Sequence, residues 1–191
     1  MMATITKTPR RPPGPPEAAA GHDVSRLVPL ALAAAASQSL LVVMTPSMVA
    51  VAADLGVEIP AVGQARTLTA AVALVGALVL LRWVAVLGVR RTAIAGALLA
   101  VASGAAVGFA TGYAGYLLAH LLVGLAVAAL LTAGFAGLAD FRGPSRSWAA
   151  GWVTAAAGSS WVVGNPVVGA LTEHVSWRAT PLFPSALAVG V

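Results

Sequence analysis

Few side chains in this 191-residue sequence can do chemistry, and those that can are set in long apolar tracts. Gln38, Ser39, Thr45, Ser47, His120, Ser159, Ser160 and Asn165 are the polar residues inside those tracts. A helical hydroxyl hydrogen-bonds back to its own backbone, so a local role is the leading reading for the Ser and Thr residues. The amides of Gln38 and Asn165 are harder for one helix to satisfy, which leaves interhelical hydrogen bonding and substrate contact as equal readings. His120 is the only titratable side chain near the middle of a tract. Both proton carriage and a simple hydrogen bond to a neighbour are open to it. Gly158-Ser159-Ser160 offers a serine after a glycine, but a nucleophile needs a base within reach and a stabilised oxyanion. His174 lies at a tract end rather than inside one. With no Cys there is no thiolate nucleophile, disulfide or thiolate metal site. No nucleotide-binding loop is present, and neither a metal nor a cofactor is expected.

The tracts themselves define the class. The sequence is 59% apolar and only 9% charged, with mean hydropathy +0.91. A soluble domain has about 45–50% apolar and about 25% charged residues. Its net charge of +5 is scattered between long uncharged stretches, which argues against a nucleic-acid partner. An all-α, polytopic membrane protein with the lipid bilayer as its partner follows. Leu27 to Ala53 carries no Asp, Glu, Lys or Arg over 27 residues, Thr92 to Ala139 none over 48, and Ser147 to Thr172 none over 26. A membrane helix needs about 20 mostly apolar residues, so the 48-residue tract is two helices turning near Thr111-Gly112-Tyr113. Thr67 to Leu81 reaches spanning length if Arg82 snorkels from the last turns. The expected spans are 27–53, 66–86, 92–111, 113–138 and 148–171, with a partial sixth at 179–191. Thirteen residues rise about 20 Å, short of a hydrocarbon layer of about 30 Å.

Lys and Arg set the orientation. A cytoplasmic N-terminus puts nine of them inside and only Arg66 and Arg178 outside. Residues 1–26, with Arg10-Arg11-Pro12-Pro13-Gly14-Pro15-Pro16, read as a disordered cytoplasmic tail. A cleaved signal peptide ending at Ala34-Ala35-Ala36 is the competing reading. Gly104, Gly108 and Gly112 recur every four residues and suit close helix packing. Pro166, flanked by Gly164 and Gly169, is expected to kink the fifth span. Pro46 interrupts the first, beside Thr45 and Ser47, whose hydroxyls can occupy the freed carbonyls.

Several stretches carry a family likeness. Thr45-Pro46 through Asp54-Leu55-Gly56-Val57, then Pro60 to Gln64, resembles the end of helix 1 and start of helix 2 in the major facilitator superfamily. Gly88-Val89-Arg90-Arg91 resembles the tail of its loop 2–3 signature. His120 followed by Gly124 stands where helix 4 has Arg and Gly. Gly164-Asn165-Pro166-Val167-Val168-Gly169 is similar to the antiporter motif of helix 5. Ser176-Trp177-Arg178-Ala179-Thr180 resembles the loop before helix 6. Together these cover about residues 27 to 191 and resemble the N-terminal half of a bacterial drug or sugar efflux proton antiporter. The resemblance implies a transporter rather than an enzyme, in the cell (inner) membrane. It would export a small amphipathic molecule by alternating access, proton-coupled in the complete protein. Gln38, Thr45, Ser47, His120 and Asn165 are its substrate-pathway candidates. Gly88, Arg90, Arg91, Gly124, Gly158, Gly164, Pro166 and Gly169 are its motif and gating residues. Two departures stand out: Ala85 and Val86 replace the loop 2–3 Asp-Arg pair, and His120 replaces the helix 4 Arg. Because the family holds substrate between two halves, a second six-helix half or a second copy of the chain is the further partner. Two other readings share the sequence: an inactive truncated remnant, and remotely an intramembrane serine protease of the rhomboid kind.

Overall fold

The structure, a computed structural model, describes residues 24–191. Seven α-helices account for most of it: α1 (Val24–Val42), α2 (Met44–Leu55), α3 (Ile59–Leu87), α4 (Val89–Gly108), α5 (Tyr113–Ala136), α6 (Pro144–His174) and α7 (Leu182–Val189). Among the described residues there is no strand, so the all-α bundle is as expected. Most of the expected N-terminal tail lies outside the described residues, but Val24, Ser25 and Arg26 already belong to α1. Helices long and apolar enough to cross a membrane are Val24–Leu55, Ile59–Leu87, Val89–Gly108 and Tyr113–Asp140. At 31 residues α6 is as long, with Ser, Thr, Asn and Gly diluting its apolar content.

Local chemistry explains the joints. α1 and α2 form one rod with a turn at Val43. Pro46 lacks the N–H that would bond the Val42 carbonyl, and Ser47 Oγ donates to the neighbouring Val43 carbonyl at 2.6 Å. Gly56 closes α2 at φ +64°, a left-handed position that suits Gly. Pro60 then stands in the first turn of α3, where its missing N–H costs nothing. That start, seven residues ahead of Arg66, is earlier than the tract lengths imply. α6 runs unbroken through Pro166, so the expected bend does not interrupt the helix. The sixth element begins later than Ala179: Trp177–Ala179 is a 3₁₀ turn and α7 starts at Leu182. A start at Leu182 keeps Pro184 in the first turn, where no N–H is needed, whereas a start at Ala179 would put it in the helix interior.

α5 is the most enclosed helix, packed between α3 and α4 and against α1. α1 in turn packs on α6, and α7 fills the gap between α4 and α1. Small residues set these approaches. A Cβ added at Gly124 would stand 2.7 Å from Val72 Cβ and 2.8 Å from the Thr69 carbonyl oxygen. One added at Gly96 would meet the Leu130 backbone nitrogen at 2.9 Å. Thr69 Oγ1 donates to the His120 carbonyl at 3.3 Å, adding a hydrogen bond to the α3–α5 crossing. Gly104 and Gly108 of the expected stripe face the segment around α7, while Gly112 precedes α5. Facing outward, α3 exposes Leu74, Val75, Leu78, Val79 and Leu81, a surface suited to lipid.

One end of the bundle is tied by a polar clasp. Asp54 Oδ2 accepts from Arg178 Nη2 at 2.7 Å and from Trp177 Nε1 at 3.1 Å. Arg178 Nη1 donates to the Gly108 and Ala110 carbonyls at 3.0 and 2.7 Å. It thereby satisfies oxygens that the end of α4 leaves without helical partners.

Gly124→Val is expected to lower the thermal unfolding midpoint of the detergent-solubilised protein, since overpacking costs about 1–3 kcal/mol. An unchanged midpoint would mean that α3 and α5 do not cross this closely. Arg178→Ala is expected to speed amide hydrogen exchange around residues 108–112 and 176–181 while leaving the centre of α5 protected.

Candidate functional site

The rod formed by α1 and α2 is flanked by α6 and, at α2, by α3. Polar side chains from these helices meet on one face. Arg66 of α3 donates from Nη1 to Thr45 Oγ1 at 3.2 Å. Its guanidinium carbon stands 5.7 Å from the ring centroid of Trp161 on α6. Trp161 Nε1 donates to Gln38 Oε1 on α1 at 3.2 Å. One turn along α6, Asn165 Nδ2 donates to the Trp161 carbonyl at 2.8 Å. Thr45, Arg66 and Asn165 are exposed, whereas Gln38 and Trp161 are half-buried.

Depth distinguishes this cluster from a ring of interfacial charge. Trp161 lies thirteen residues before His174, where α6 ends, a rise of about 20 Å. Thr45 lies nine residues before Asp54, a rise of about 14 Å. By reaching Thr45 and Trp161, the Arg66 side chain runs inward along the face instead of snorkelling out to headgroups. Among the described residues no carboxylate comes within ion-pair distance of it; Asp54 pairs with Arg178 instead. Charged groups inside spans face a bundle interior or a water-filled cavity, because lipid solvates them poorly.

Gln38, Thr45 and Asn165 are thus brought together, with Arg66 and Trp161 beside them. Ser47 and His120, the other two pathway candidates, lie apart from this cluster. Two residues along a helix is a rotation of about 200°, so Ser47 faces away from Thr45. It lines a cavity of about 20 Å³ with Met44, Tyr116, His120 and Trp177, room for about one water. There His120 Nδ1 sits 2.8 Å from the Tyr116 carbonyl, and the His120 and Tyr116 rings lie 4.3 Å apart. A nitrogen facing a carbonyl carries the proton, which leaves Nε2 as the acceptor.

The remaining motif residues divide by surroundings. Gly124 is a packing residue, as is Gly164, where a Cβ would meet Val42 at 3.0 Å and Phe183 at 3.1 Å. Around Gly158 and Gly169 there is open space, and Pro166 is exposed. Helical spacing puts Gly158, Asn165 and Gly169 on one side of α6. Gly88, at φ +83°, joins α3 to α4, with Arg90 and Arg91 exposed in the turn that follows. Ser159 Oγ donates to the Ala156 carbonyl and Ser160 Oγ to that of Ala35, and neither serine lines the His120 cavity. Among the described residues no three His, Asp or Glu side chains gather as a metal site.

Sequence reasoning missed Arg66 and Trp161. Arg66 counted as an outer-loop charge, yet Pro60 is a helix-start signal that places it two turns inside α3. Trp161 is not singled out by its type, although its spacing of four from Asn165 puts both on one helix face.

Comparison with known sequences matches residues 27–191 to the family described as the Major Facilitator Superfamily. No match is found among curated proteins. With its apolar helices and a family match over most of its length, the chain is a multi-pass membrane protein that belongs to the major facilitator superfamily, a family of membrane transporters.

Proposed function

We propose that the chain is the N-terminal half of an exporter resembling the bacterial drug and sugar efflux antiporters. It moves a small amphipathic molecule by alternating access across the inner membrane, proton-coupled in the complete protein. The observation that carries this reading is the face bearing Gln38, Thr45, Arg66, Trp161 and Asn165. A cation with no carboxylate beside it, part-way down a membrane-spanning bundle, is poorly covered by lipid. A wet cavity closed by a second six-helix half, or by a second copy of this chain, covers it well. The open space around Gly158 and Gly169 on the same helix suits close approach of that partner.

The N-terminus is on the cytoplasmic side in this reading. Arg82, Arg90, Arg91, Arg142 and Arg146 lie toward one end of the bundle, and Arg178 at the other is neutralised by Asp54. The orientation rests on the count of Lys and Arg at each end, to which Asp54 adds little.

Because the sequence has no Cys, single cysteines report directly on the wet face. Thr45→Cys and Asn165→Cys are expected to react with a water-soluble maleimide in intact membranes, while Leu78→Cys and Val79→Cys stay unmodified. Equal reaction at all four would remove the argument for a cavity. Alone the chain has no second wall for the cavity, so transport is expected only where it pairs with itself or with a second six-helix half. Cells in which crosslinking shows such pairing are expected to accumulate less of at least one compound from a labelled panel of amphipathic anions, cations and neutral molecules. Arg66→Ala should restore the accumulation. If the paired, correctly inserted protein changes accumulation of none of them, the export reading fails and an inactive remnant is left.

A further inference from the structure

The chemistry left over on the Gln38–Arg66–Trp161 face selects among substrates. We infer that this face binds an aromatic carboxylate, with the carboxylate on Arg66 and Gln38 and the ring against Trp161. The inference rests on the reading that the face contacts substrate.

The donors and acceptors are unbalanced. A guanidinium offers five N–H donors and no acceptor, and Arg66 uses only Nη1, toward Thr45. Gln38 spends its oxygen on the Trp161 indole, which leaves its amide N–H groups as donors. Asn165 spends one of its two N–H groups on the Trp161 carbonyl and keeps the other together with its acceptor oxygen. The surplus is positive and donor-rich. Acidic residues do not redress it: Asp54 is held by Arg178, and Glu58, Asp140 and Glu173 stand at helix ends.

In a wet cavity Arg66 is solvated but has no counter-charge among the described residues, so a ligand that supplies one gains affinity over one that does not. A carboxylate does so through the paired N–H groups of the guanidinium fork. An amine adds a second positive charge, and a neutral alcohol cancels none. Trp161 adds shape to charge. Its indole is anchored by Gln38 and faces the guanidinium, so a flat ring in the same layer meets both an aromatic surface and the edge of a cation.

Three probes of nearly one shape separate these terms: 2-naphthoate, 2-naphthylmethylamine and 2-naphthylmethanol. The readout is how far each slows maleimide labelling of Asn165→Cys in the purified chain in lipid nanodiscs. Naphthoate is expected to protect at concentrations at least tenfold below those needed for the other two. Arg66→Lys should weaken its protection about tenfold, since a lysine ammonium lacks the planar fork, and Arg66→Gln should erase the preference for the anion. Trp161→Leu should weaken all three probes while keeping their order. Equal protection by all three, stronger protection by the amine, or ready labelling that none slows would overturn the inference with the wet face intact. A cysteine at 165 that does not label at all would overturn the reading of the face itself. If Arg66→Gln does not fold, the naphthoate–amine comparison on the Asn165→Cys chain still decides.

Discussion

Helices in a bilayer gain little from hiding apolar surface, since lipid tails are as apolar as the side chains they replace. What holds this bundle together is therefore closeness of contact, and α5 is where contact is closest. At Gly124 and Gly96 its neighbours approach to distances that leave no space for one more carbon atom. Because α5 occupies the space between α3 and α4, those consecutive helices meet each other only slightly. The α1–α2 rod is left to pack against α5 and α6, and the face with Gln38 and Thr45 runs along its seam with α6. The position of the functional surface is thus a by-product of where the smallest residues are.

That surface has two kinds of polar group. Most hydroxyls in the bundle are spent locally, like Ser37 on the Ala34 carbonyl and Thr172 on that of Val168. The groups linking Thr45, Arg66, Trp161 and Gln38 join three rods instead. Replacing any one of them would leave the others short of a partner. Their connectedness means that the shape of the face is set before anything binds, which lowers the cost of ordering it around a ligand.

Much of this was legible from residue types alone. The fold class followed from apolar content and tract length, and Gln38, Thr45 and Asn165 stood out as polar groups in apolar tracts. What could not be read was rotation. Thr45 and Ser47 are equally polar and two residues apart, and only the packing of α2 against α3 and α6 decides which faces the site. His120 was conspicuous for its chemistry, but its neighbours Tyr116 and Thr69 enclose it, and sequence does not show enclosure. Arg66 fell between two signals: Pro60 reads as a first-turn residue and α3 does start at Ile59, but a span counted as 66–86 by apolar tract leaves Arg66 at its edge as a loop charge. The start at Leu182 is set by Pro184, which apolar tract length ignores although the residue stands in plain view.

The clasp between Asp54, Trp177 and Arg178 makes the two ends of the bundle unlike in what holds them. It pins the end of α2, the end of α4 and the approach to α7 to one point. At the opposite end, Arg82, Arg90, Arg91, Arg142 and Arg146 have no ion pair among the described residues, and chain turns such as Gly88 join the helices there. That end is held by apolar packing instead, where Leu27, Leu30, Leu138, Phe141, Ala149 and Val153 gather in one buried cluster. One end is therefore joined by charge and the other by contact, and added salt weakens only the first.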